Sequence, residues 1–117
     1  MSAHRPGRER DLTKEQKRQA REIAGVAWEA ELSEALDELH VLFSDWRKGR
    51  IDAFQLSRAI HEFHDGSGRE LFKRYNGLRP EDLAARAIAH ELVPPGQIPT
   101  ELRKVLADRI DRWRRRD

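Results

Sequence analysis

Four side chains within eight residues, Arg58, His61, His64 and Asp65, are of the types that ligate metals, relay protons or bind phosphates. Metal ligation needs imidazoles that converge, and the spacing of His61 and His64 is three residues rather than the i, i+4 pair of a zinc-protease helix. On a helix at about 100° per residue, a core side set by Leu56, Ala59, Ile60 and Phe63 leaves His64 roughly 90° away and His61 roughly 150° away. The pair then looks outward, whereas a metal site in a bundle draws on inward-facing ligands. No metal, no cofactor and no assigned catalytic residue follow from these positions. A second basic feature, Arg114, Arg115 and Arg116 after Trp113, is suited to phosphate binding because arginines supply salt-sensitive, sequence-independent attraction to nucleic-acid backbones.

Three short motifs resemble known families. His64-Asp65, with His40 upstream and Asp108 or Asp111 downstream, resembles the His-Asp pair of the HD-domain metal phosphohydrolases; the resemblance implies a helical fold and a divalent metal activating water against a phosphoester. Here Gly66 follows the Asp directly rather than one residue later, and the same residues also read as a helix end, with His suited to the dipole and Gly to the cap. Arg58 and His64 resemble the Arg-x5-His spacing of the HEPN ribonucleases, implying metal-independent RNA cleavage, although Ala59 stands where a polar residue commonly follows the Arg. Ser44 to Ile51 resembles the Gly-x-Ile core of an EF-hand loop. Its calcium positions, however, are filled by Ser44, Trp46 and Lys48, and Gln55 stands where a bidentate Glu is required.

These residues must be positioned by helices. Thr13 and Gln16 form a capping box, after which Ile23, Ala27, Trp28, Leu32, Ala35, Leu36, Leu39, Leu42, Phe43 and Trp46 recur at three- and four-residue spacing. One long helix is expected, stopped by Gly49, with a kink or break open at Gly25. Asp52 and Gln55 start a second helix, with Ile51 and Leu56 as its hydrophobic staple, and Asp65-Gly66 ends it. Ser67 to Glu70 reads as a third capping box, opening a short helix through Leu71, Phe72 and Tyr75 that Asn76-Gly77 closes. Pro80, Glu81 and Asp82 open a fourth helix carrying Leu83, Ala84, Ala87, Ile88 and Leu92, ended by Pro94-Pro95-Gly96. Thr100 caps a fifth, with Leu102, Val105, Leu106, Ile110 and Trp113 on one face. The expected fold is all-α, a compact antiparallel helical bundle of about five helices with one long N-terminal helix, residues 13–117 forming a single helical domain after a flexible basic arm at 1–12.

Composition narrows the function classes. The chain has 117 residues, enough for one core, and its apolar and charged fractions are equal at 38%, so burial must come from stripes on amphipathic helices. With no cysteine, disulfides, thiolate zinc sites and cysteine nucleophiles are excluded. The uncharged run Ile23 to Trp28 is far short of the roughly 20 apolar residues of a membrane span, so a cytoplasmic protein without a membrane partner is expected. The net charge of +2 conceals segregation: residues 22–45 hold seven acidic side chains and no Lys or Arg, while both flanks are basic.

On the second helix Phe54, Ser57, His61 and His64 form a stripe away from the core side. Phe54 must be covered, either by the third helix through Phe72 and Tyr75, the expected cover because that helix follows at once, or by a partner. Phe54, His61, His64, Phe72 and Tyr75 are therefore the candidate interaction surface. The expected function is a protein-interaction module or a self-associating helical protein, with a protein partner or homo-oligomer. A metal-dependent phosphohydrolase or small ribonuclease is the enzymatic alternative, and nucleic-acid binding through Arg114, Arg115 and Arg116 the third.

Overall fold

The computed structural model describes residues 11–116, and every regular element among them is helical. In chain order these are α1 (Lys14–Arg47), α2 (Ala53–Asp65), α3 (Ser67–Gly77), α4 (Pro80–Ala89), a 3-10 turn (Pro95–Gln97), α5 (Thr100–Val105) and α6 (Ala107–Arg116). The chain is an all-α fold of mutually packed helices with one long N-terminal helix. Most of the basic arm expected at 1–12 lies outside the described residues; Leu12, just before the first cap, is buried. Two units emerge: Met1–Ala27 with Arg79–Asp117, and Trp28–Leu78.

In the first unit, α1 starts as its residue types dictate. The Thr13 amide donates to Gln16 Oε1 at 2.9 Å and the Gln16 amide to Thr13 Oγ1 at 3.0 Å, which satisfies two of the helix's orphan donors. Ala20, Ile23, Ala24 and Ala27 form its buried stripe. The helix runs unbroken through Gly25, which is exposed, so no side chain was needed there for packing. α4 buries Leu83, Ala84, Ala85, Ala87 and Ile88 and packs chiefly against α6, with Leu102 and Leu106 fully buried and Ile110 nearly so. The abundance of alanine lets the helix backbones approach closely.

Two boundaries in this unit differ from the sequence expectation. α4 ends at Ala89, before the Pro94-Pro95 stop, because Glu91 adopts a left-handed φ of 57° and the chain turns there. The Leu92 amide then donates to the Ala87 carbonyl at 2.9 Å and the Glu91 amide to Ile88 at 3.2 Å, a Schellman closure without glycine. The expected fifth helix is divided at Leu106 into α5 and α6, yet hydrogen bonds carry through: Leu106 donates to Leu102 at 3.0 Å and Ile110 to Leu106 at 2.9 Å. Pro99 rather than Thr100 occupies the cap of α5, and Thr100 is its first helical residue.

The second unit contains the rest of α1 with α2 and α3. α1 stops at Gly49, whose φ is +77°, with the Arg50 amide donating to Asp45 at 2.8 Å and the Gly49 amide to Trp46 at 3.0 Å. This Schellman motif turns the chain into the Asp52–Gln55 capping box, whose two reciprocal bonds are both 2.8 Å. The third capping box does not form. α2 and α3 are separated by Gly66 alone, Ser67 is already helical, and no side chain caps α3. Backbone replaces it: the Gly66 amide donates to Glu62 at 2.8 Å while its carbonyl accepts from Glu70 at 2.9 Å. A Cβ at Gly66 would lie 2.8 Å from the Glu62 oxygen, so the corner requires glycine.

Candidate interaction surface

Five side chains tie α3 to α1 in the Trp28–Leu78 unit. Trp28 and Tyr75 stack, with ring centroids 5.3 Å apart and planes 2° from parallel, and the Phe72 ring meets Trp28 edge-on at 6.4 Å. The Tyr75 hydroxyl donates to Glu31 Oε1 at 2.5 Å, and Arg74 Nη1 lies 3.6 Å from the same oxygen. Tyr75 is therefore a core residue, buried and hydrogen-bonded, and not part of a surface. The sequence reading that placed it beside Phe54 missed Glu31, whose signal was only its position one turn after Trp28.

Outside that network the unit buries little. Leu56, Leu71 and Tyr75 are its buried apolar side chains, a small core for the helices that must share it. Eight of the nine large apolar side chains that are exposed among the described residues belong to this unit, the ninth being Val26. Phe54 is 83% exposed and Phe72 is 60% exposed. The expected internal cover of Phe54 by the third helix is thus overturned, and the reason is geometric: Phe54 lies about 200° around α2 from Leu56, the residue that faces inward. Ile60, expected in the core, is also exposed.

His61 and His64 share the outward side of α2 with Phe54 and Ser57, and all four are exposed. Sequence reasoning missed Leu36, Phe43 and Trp46, which it assigned to the core stripe of the long helix. They are exposed on α1, and the available signal was an apolar arc wider than one packed neighbour can cover. The exposed fractions of Phe43, Trp46, Phe54 and Phe72 amount to about 400 Å² of aromatic surface at typical side-chain areas. That is about half of what one partner contributes to a standard interface.

The enzymatic motifs do not assemble. In neither unit, among the described residues, do three His, Asp or Glu side chains group as metal ligands. Arg58 and His64 both lie exposed on α2, six residues and thus about 9 Å apart along its axis and about 120° apart around it. The Ser44–Ile51 segment is the Schellman corner described above. Arg114, Arg115 and Arg116 are exposed in the last turn of α6, where the Arg116 guanidinium sits 4.6 Å from the Trp113 ring centre and Arg114 lies 4.0 Å from Asp111. Arg103 and Arg114 border an open groove of about 520 Å³ floored by Ile88, Leu92 and Pro94. Titration is perturbed at the start of α1, where hydrogen bonding from Arg18 pulls the Glu15 carboxyl down and Glu15 raises Arg18. No family description matches the chain, and no curated protein and no solved structure shows significant similarity to it.

Proposed function

We propose that the chain is a protein-interaction module whose docking surface is the exposed apolar side of the Trp28–Leu78 unit. The observation that carries this reading is Phe54, a large ring left 83% exposed on the side of α2 opposite its inward-facing Leu56. Burying such a ring contributes about 1.5–3 kcal/mol, a gain that a partner collects and the isolated chain does not. Exposed large apolar side chains concentrated in one unit mark interaction sites more often than singly scattered ones do. The histidines beside Phe54 supply polar contacts at the edge of the surface.

The test compares chemical crosslinking of the wild-type chain in a source-cell extract with that of the variant Phe54→Asp/Phe72→Asp, after matching their circular-dichroism spectra. Adducts that map to residues 28–78 and disappear in the variant support the reading. Adducts unchanged by the two substitutions, or confined to the other unit, refute it.

A second reading rests on the arginine cluster of α6: three consecutive exposed guanidiniums favour a polyanion such as nucleic acid. It expects affinity for a duplex to fall steeply with salt and to weaken on replacing Arg115 and Arg116 with Ala; binding indifferent to salt discards it.

A further inference from the structure

We infer that the α1 side of this docking surface pairs with the same helix of a second copy, antiparallel, along the stripe Glu29, Ser33, Leu36, His40, Phe43 and Arg47. The inference rests on the interaction-module reading and names the partner for one part of that surface. All six residues are exposed, and they lie on the half of α1 that belongs to the Trp28–Leu78 unit. Their spacing is four, three, four, three, four, the repeat by which one helix presents a continuous seam to another. Leu36 and Phe43, 45% and 39% exposed, are its apolar members.

The intramolecular cover does not reach this stripe. Trp28, Glu31, Ala35 and Leu42 are half-buried, and the first two contact α3 directly. At 100° per residue these four centre about 130° away from the stripe. Leu32 and Leu39, half-buried, lie between the two sides and bridge them. One helix therefore carries an apolar arc of which α3 covers only one edge.

The choice of a second copy follows from the order of residues along the stripe. About a two-fold axis beside Glu38, position 29 faces 47, 33 faces 43 and 36 faces 40. Glu29 of each copy then meets Arg47 of the other, so the dimer is closed at both ends by opposite charges. Phe43 meets Ser33, a large side chain against a small one, and Leu36 meets the carbon edge of His40. A parallel pairing would set Glu29 against Glu29 and Arg47 against Arg47, which like-charge repulsion disfavours. A C2 contact of this kind is self-complementary and closes without further growth. Of the remaining acids of this segment, Glu34, Asp37 and Glu38 are exposed on other sides of the helix and stay in solvent, while Glu31 and Asp45 are half-buried.

The contact spans about 27 Å of helix, the length of the 19 residues from 29 to 47, and its area falls at the small end of specific interfaces. A dissociation constant in the micromolar range is expected, on the order of 10–100 µM. Sedimentation velocity on the full chain from about 10 µM to about 1 mM should show the weight-average mass rising from monomer toward dimer and no further. Glu29→Arg and Arg47→Glu, each alone, should weaken the dimer about tenfold, and the double variant Glu29→Arg/Arg47→Glu should restore it, because the swapped charges still meet across the axis. Restoration is the informative readout, since a residue needed only for folding would not be rescued. A monomer over the whole range, or a dimer on which the charge reversals have no effect, overturns the inference. A monomer that still forms heterologous adducts lost on Phe54→Asp/Phe72→Asp overturns only the identity of the partner and leaves the interaction-module reading standing.

Discussion

The hydroxyl of Tyr75 donates to the carboxylate of Glu31 at 2.5 Å, joining residues 44 apart in sequence across the α1–α3 contact. Because the Tyr75 ring also lies flat on Trp28, the hydrogen bond and the stack can be separated by substitution. Tyr75→Phe keeps the ring and removes the bond, so it is expected to cost about 1.5–3 kcal/mol, the range for a bond to a charged group. Tyr75→Ala removes both and should cost about 3–5 kcal/mol. Urea denaturation followed by tryptophan fluorescence distinguishes the two, and equal losses would place all of the stabilisation in the hydrogen bond and none in the stack.

Arg109 is buried on α6, and its Nε lies 3.2 Å from Asp82 Oδ1 on α4. Breaking a buried pair costs more than replacing its cation with a similarly shaped apolar side chain, since the first change strands a charge. Asp82→Ala should therefore lose about 2 kcal/mol or more and Arg109→Met distinctly less. Thermal melts of both variants decide the order, and the reverse ranking would contradict it.

Gly49 and Glu91 both take left-handed backbone at helix ends, but only one is glycine. Placing a Cβ at Gly49, which has open space around it, still meets the intrinsic left-handed penalty, so Gly49→Ala should destabilise by about 1–2 kcal/mol. Glu91→Gly relieves the same penalty and should stabilise by about 0.5–1 kcal/mol. Paired melting curves test the two signs together.

The Glu15 carboxyl is held below its ordinary value of 4.5, first by the hydrogen bond from Arg18. A carboxyl with a depressed folded pKa contributes stability above its unfolded pKa, and that contribution is lost as pH falls through the folded value. The first turns of α1 should accordingly loosen as pH drops below 4.5, and Glu15→Gln should remove that part of the pH dependence. Side-chain NMR titration of Glu15 checks it; a carboxyl titrating at or above 4.5 would rule it out.

The sequence by itself determined the helices and where most of them begin and end. Thr13 with Gln16 and Asp52 with Gln55 satisfy amide donors through side chains three residues away, and Gly49 permits the one backbone conformation that closes α1. These are local interactions, complete within a single turn, so residue type and spacing suffice to specify them. The outward direction of His61 and His64 was legible for the same reason: one helix's periodicity fixes the angles between its own side chains.

Tertiary structure decided what local rules leave open. Glu91 turns α4 although nothing in its residue type marks it as a stop, because the chain gains by burying Val93 beyond the turn. Gly66 makes the α2–α3 corner through backbone bonds, leaving Ser67 without the capping role its position suggested. Above all, sequence periodicity cannot say how much of an apolar arc its neighbours will cover. Tyr75 went into the core with Trp28 and Glu31, while Leu36, Phe43 and Phe54 stayed outside, because burial depends on which surfaces meet across many residues rather than on the character of any one side chain.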